Sequence, residues 1–219
     1  MQENLAPRRT YDRDGVEFGR TVAFTDGLFA IAMTLLVVSL AVPTLSDESS
    51  VSELADKLND DSATFVSFAI SFAVIGRYWL AHHAYFSVLA RLDRRIIALN
   101  LVYLAFIAFL PFPTALLGQY FENPLSVTIY ALNVAIVSGM EVVLFSYAQN
   151  HDLLERKLPR DVYRYGTVMS LAPVVFFLLS IPVAFISTTV AACMWFLGIP
   201  FTALAARWKP EGADEILLG

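Results

Sequence analysis

The chain has 219 residues, 57% of them apolar and only 16% Asp, Glu, Lys or Arg, with a formal net charge of −5. Its mean hydropathy is +0.61. Soluble domains run at about 45–50% apolar and about 25% charged, so this composition argues against an ordinary soluble enzyme. The negative balance gives a nucleic-acid partner no electrostatic footing. One cysteine, Cys193, leaves no internal disulfide and no cysteine-based metal cluster. In an apolar stretch it reads as a small buried hydrophobe.

Taken in chain order, the apolar runs are long enough to cross a hydrocarbon core of about 30 Å. Residues 20–43 form the first, with Asp26 as its internal charge. Residues 62–90 form the second and carry Arg77, His82 and His83. Residues 96–117 form an uncharged third, and 125–149 a fourth with Glu141. From Tyr165 to Ala206 no residue is charged. As one helix that run would be about 63 Å long, so it divides into two spans. The turn is expected within 182–189, where Pro182 disfavours continuous helix and Ser187, Thr188 and Thr189 can cap a new one. Spans at 165–184 and 188–206 complete a set of six. The sequence therefore predicts an all-α, polytopic membrane protein.

The basic residues test that count independently, because Lys and Arg collect on the cytoplasmic side. Arg8, Arg9, Arg13 and Arg20 precede the first span, and Arg91, Arg94 and Arg95 follow the second. Arg156, Lys157, Arg160 and Arg164 follow the fourth, and Arg207 and Lys209 follow the sixth. The alternate connections hold Lys57 alone. This alternation places both termini in the cytoplasm and makes the first span a retained helix rather than a cleaved signal. The first outer loop, 44–61, is acidic and reads as a solvated segment that could also attract cations. No duplicated half is visible, which argues against a two-repeat transporter.

Ionisable groups inside a membrane normally face protein or water. Counted from the basic flanks, Asp26, His83, Asn100 and Glu141 lie about 8–12 Å from the inner face, in one layer. Arg77 and Trp79 lie deeper. A carboxylate there needs donors, which His, Asn and the Trp N–H can supply. Such a layer fits either a structural network locking the helices or direct handling of ions and protons. His82 and His83 are adjacent and point about 100° apart, so one partner cannot engage both. No metal-ligand spacing and no nucleophile–base arrangement stands out, so neither a resident metal, a cofactor nor an enzymatic activity is expected. Ile31, Thr34, Leu35, Val38 and Val42 fall on one helical stripe of the first span.

The segment Arg20-Thr21-Val22-Ala23-Phe24-Thr25-Asp26 resembles the RxxxFSD signature of the endosomal/lysosomal potassium channel family and its bacterial homologues, with Thr25 keeping the hydroxyl of the usual Ser. Residues 26–35, Tyr78-Trp79-Leu80-Ala81-His82-His83 and the stretch from Asn100 to Leu117 are similar as well. The resemblance is strongest over the first three spans. It implies one six-helix channel domain over residues 1–219, assembling as a homotetramer in the cell membrane, with the first helix of each copy lining a central pore. Potassium and other monovalent cations would be the permeant species. The TVGYG filter of ordinary potassium channels is absent. By resemblance, the hydrophobic gate falls on Ile31, followed outward by Leu35 and Val38, and the selectivity hydroxyl on Thr34. The signature and inter-helix network would comprise Arg20, Phe24, Thr25, Asp26, Trp79, Asn100 and either His82 or His83. A proton-coupled transporter or a proton-conducting channel, using Asp26, Glu141 and a histidine as a relay, is the competing expectation.

Overall fold

Hydropathy and helix-capping residues together set the element boundaries. A computed structural model describes residues 10–211 and 213. A short strand β1 (Thr10–Asp12) leads into α1 (Val16–Leu35), whose last turn tightens into a 3₁₀ segment at Leu36–Ser39. Helix α2 (Val51–Asp60) precedes α3 (Ser62–Ser87), and strand β2 (Arg91–Asp93) separates α3 from α4 (Arg94–Phe109). Helix α5 (Pro111–Gln119) continues the path of α4, and α6 (Pro124–Asn150) and α7 (Arg160–Ala184) follow. The chain closes with α8 (Thr188–Trp195), α9 (Gly198–Ala205) and a 3₁₀ turn at Ala206–Trp208.

Among the described residues, six helical stretches are long and apolar enough to span a membrane: Val16–Ser39, Ser62–Ser87, Arg94–Gln119, Pro124–Asn150, Arg160–Ala184 and Thr188–Trp208. The first starts four residues before the expected boundary and ends four residues early. The third is broken at Pro111, whose missing N–H and ring interrupt the hydrogen-bond ladder. Pro182 does not end α7, which runs two residues beyond it. The turn falls at 185–187, where the Ser187 side chain caps α8 by accepting from the Val190 N–H at 3.3 Å. The last span is itself divided, between Trp195 and Gly198.

Helix α6 is the hub. It packs along α7 and against α4 and α5, and half of its most apolar window is buried, against 6% for the last span. Hydroxyl groups tie the bundle together at several depths, a role suited to a medium without water. Thr114 of α5 donates to Ser71 of α3 at 2.8 Å, and Ser71 meets Tyr130 of α6 at 3.1 Å. The Tyr78 hydroxyl lies 2.6 Å from Ser138, and Tyr85 donates to the Leu144 carbonyl at 2.9 Å. The last span is attached mainly through Trp195, which donates to Ser180 at 2.9 Å and stacks on Phe177 and Tyr130. Cys193 on this sparsely covered helix is exposed in the isolated chain rather than buried.

Close approach of α3 and α5 depends on Gly118. A Cβ there would sit 2.9 Å from the Thr64 Cα, a backbone atom that cannot swing aside. Gly118→Ala is therefore expected to destabilise the fold by about 1–3 kcal/mol, the usual cost of overpacking. A thermal melt of the purified protein in detergent checks this, and an unchanged midpoint would remove the close contact from the account.

The basic connections gather at one end. Strand β1 pairs antiparallel with β2, Thr10 opposite Asp93, and an isolated bridge joins Leu89 to Leu154. Arg13 donates to the carbonyls of Ser87 and Leu89 and pairs with Glu155 at 2.8 Å. The segments before α1, between α3 and α4, and between α6 and α7 thus form one collar. Asp93 is its keystone. Its buried carboxylate accepts from the backbone N–H groups of Arg95 and Ile96 and from the Tyr147 hydroxyl. At the opposite end of α1, the expected solvated loop contains α2. In it Glu53 accepts from the backbone N–H groups of Ser46 and Asp47, which hold its carboxyl below the usual range.

Candidate functional site

The first helix has two unlike faces. Phe18, Thr25, Phe29, Ala32 and Leu36 are buried against α3, α4 and α5. Phe24, Ile31, Thr34, Leu35 and Val38 are exposed on the isolated chain. The contrast is sharp over one turn: Ile31 is 60% exposed, whereas Phe29 and Ala32 are each 1% exposed. Periodicity predicts a shared stripe of Ile31, Thr34, Leu35, Val38 and Val42; the helical segment ends at Ser39, so Val42 falls outside it, and the other four are left largely uncovered among the described residues. The 3₁₀ turn keeps Val38 in line with Leu35, because side chains three residues apart eclipse in that geometry. The Thr34 hydroxyl donates to the Ile31 carbonyl at 2.9 Å, a local bond that leaves its oxygen able to accept another.

The opposite face is held by polar groups on α3 and α4. The Asn100 side-chain amide donates to the Thr25 hydroxyl oxygen at 3.0 Å, and Thr25 donates to the Thr21 carbonyl at 2.9 Å. That chain of donors fixes the orientation of Asn100, so its Oδ1 is the atom 2.8 Å from His82 Nε2. His82 therefore donates from Nε2. Its ring is buried and stacks on Phe86 and Tyr103, with centroids 4.2 and 5.5 Å away. Separately, Trp79 Nε1 donates to Asp26 Oδ1 at 3.0 Å.

This arrangement divides the expected network. His82 is the histidine that joins it. His83 instead stacks on Trp79, 5.5 Å between centroids, on the exposed side of α3. Arg20 takes no part: its guanidinium pairs with Glu17 at 3.1 Å, one helical turn away, with both side chains exposed. Phe24 is also outside it, 54% exposed on the open face. Glu141 shares the depth layer but bonds to none of these groups, and its Oε1 is shielded from solvent with no hydrogen-bond partner among the described residues. What remains is one ladder, Thr25–Asn100–His82, and one clamp, Asp26–Trp79. Both act between α1 and the helices behind it.

A six-span bundle that anchors one face of its first helix and offers an apolar stripe with a single hydroxyl on the other has the design of a membrane channel subunit. The family described as endosomal/lysosomal potassium channel TMEM175 matches residues 20–111, from Arg20 to the proline that breaks the third span. A potassium channel of Chamaesiphon minutus is 37% identical over 164 residues, which cover 68% of this chain and 79% of that protein. A potassium channel of Streptomyces collinus is 40% identical over 107 residues, 49% of this chain and half the length of that relative. The crystal structure of a lysosomal potassium-selective channel TMEM175 homolog from Chamaesiphon minutus superposes with a TM-score of 0.71 at 29% identity, covering 86% of this chain and 98% of that one. The chain belongs to the TMEM175 family of channels.

Proposed function

We propose that the protein forms a homotetrameric cation channel conducting mainly potassium, with α1 of each subunit lining the pore. The observation that carries this reading is the two-faced α1. Its anchored side fixes the helix, and its unpartnered side presents Ile31, Thr34, Leu35 and Val38 in one file. Four isoleucine side chains around an axis expel water from a narrow passage and so form a barrier rather than a binding site. Thr34, one turn from that ring, offers a hydroxyl oxygen to a partly dehydrated cation. Potassium and other monovalent cations are the permeant species, and the reading needs no resident cofactor and no enzymatic step.

The basic collar supports a cytoplasmic position for that end of the molecule, and with it both termini, by the positive-inside rule, in a subunit of the cell membrane. Potassium-loaded liposomes containing the purified protein test the reading. Potassium efflux is expected with protein and absent without it, and tight liposomes at every protein density would reject it.

Proton conduction is the second reading. Its support is the chicken endosomal/lysosomal proton channel TMEM175, 30% identical over 154 residues that cover 67% of this chain and 30% of that protein. A pH-sensitive dye in the same liposomes separates the two permeant ions. The expected result is potassium flux well above proton flux.

A further inference from the structure

Apart from the α1 stripe, the subunit contains a cavity of about 370 Å³ between α3, α6, α7 and the last span. It has room for several waters, each of which takes about 30 Å³ in the liquid. Glu141 of α6 and Arg77 of α3 line it, and its lining extends to Tyr165, near the start of α7, and to Lys209, which follows the last span. Glu141 is only half-buried as a residue, yet its Oε1 is shielded from solvent and has no hydrogen-bond partner among the described residues. Arg77 acts on it electrostatically, but among the described residues no ion pair joins the two. The Tyr103 hydroxyl of α4 interacts electrostatically with both and is likewise shielded and unbonded among the described residues. The other titratable groups of α3 are engaged: Tyr78 with Ser138, His82 with Asn100 and Tyr85 with the Leu144 carbonyl. Helix α5 brings no titratable group against α6, and Cys193 of α8 is exposed.

We propose that Glu141 is an exchangeable proton-binding site, supplied by water in this cavity and separate from the α1 stripe. Two opposed influences act on its carboxyl. A charged oxygen without donors bears a desolvation cost that a bound proton removes, while the guanidinium across the cavity favours the charge. Binding forms one O–H bond on the carboxyl, with the proton taken from cavity water, and needs no other reactant. Hydroxyl groups of Tyr165, Ser170 and Thr202 line the same space and can order that water, because each both donates and accepts. Lys209 and Tyr165 put the far part of the lining at the end where the basic connections gather, so the site exchanges with that side. A proton bound and released there need not cross the membrane, so the site rests on neither permeation reading.

Infrared difference spectra of the assembled protein test this in nanodiscs of ether-linked phosphatidylcholine, a lipid with no carbonyl of its own. Subtracting Glu141→Gln from wild type is expected to leave a protonated-carboxyl C=O stretch that grows reversibly as the pH is lowered. Its carbonyl origin separates it from any histidine. Transfer to D2O should shift the band as the bound proton exchanges. Met169→Trp keeps Glu141 but fills the cavity, which leaves exchange to rarer local opening and is expected to slow the shift at least about tenfold. The proposal is overturned if no pH-dependent carboxyl band distinguishes wild type from Glu141→Gln. It is equally overturned if the band exchanges as fast in Met169→Trp as in wild type. That second comparison uses two proteins that both keep Glu141, so it decides the matter even where the Gln variant does not fold. Proton binding rather than ion flux is measured, so the outcome is independent of the channel reading.

Discussion

Ile31→Asn is expected to raise potassium leak through the reconstituted protein by about tenfold or more, each factor of ten being about 1.4 kcal/mol off the barrier. The reason is local. Ile31 projects from the unpartnered face of α1, so its replacement creates no cavity inside the subunit and removes no packed contact of the core. An amide of similar size adds donors and acceptors that would hold water in the passage that, in the proposed channel, the isoleucines keep dry. Flux should therefore rise while thermal stability changes little. Ile31→Leu is the matched control, since it preserves an apolar ring and should leave the leak near wild type. Efflux from potassium-loaded liposomes reads both variants. Equal efflux from Ile31→Asn and wild type would place the barrier elsewhere along the helix.

Asn100→Ala is expected to have the opposite profile, a clear loss of stability with disturbed gating. Asn100 is buried and bonds to both neighbours, His82 on α3 and Thr25 on α1. Interhelical hydrogen bonds in membrane proteins average only about 0.6 kcal/mol when both partners can find substitutes. Here the His82 donor is enclosed between Phe86 and Tyr103 and has no such freedom. The cost of an orphaned buried group, about 1–3 kcal/mol, is therefore the better guide. A lowered melting midpoint should accompany altered open probability in single-channel records, with the potassium-to-sodium ratio unchanged. Wild-type stability and gating together would show that the ladder does not hold α1.

Much of this plan is legible in the sequence because membrane physics writes it in two independent codes. Apolar length marks each span, and the alternation of Lys and Arg fixes which connections share a side. Both codes agree at every connection, and the fold brings three of the four basic segments into one collar. The stripe of Ile31, Thr34, Leu35 and Val38 is legible too, because an α-helix maps spacing directly onto a face. Whether that face meets protein is a tertiary property, and spacing alone is silent on it.

The missed features have physical causes. Strands β1 and β2 have three residues each, too few to display an alternating pattern. Helix α2 is short and dominated by charge, so hydropathy reads it as a loop. Adjacent histidines differ by the rotation of α3, which only its packing on α4 and α6 reveals. Arg20 sits near the start of α1, where Glu17 on the preceding turn pairs with it, while Asp26, six residues on, accepts from Trp79. Cys193 looks buried by residue type, but the last span has few neighbours within the chain. Ser71, Thr114 and Tyr130 carry no charge and so give no warning in an apolar run, although together they bind three helices.

The central claim is that the open face of α1 borders water rather than lipid. Thiol accessibility tests it most directly. In a Cys193→Ala background, Val38→Cys places one thiol per subunit on the stripe, and Leu178→Cys places one on the exposed side of α7 as a control. The expected result is that a membrane-impermeant cationic thiol reagent modifies Val38→Cys, stops potassium efflux from liposomes, and leaves Leu178→Cys unmodified and conducting. If Val38→Cys resists that reagent, reacts only with a lipid-soluble one and conducts as before, then α1 faces lipid and does not line the pore.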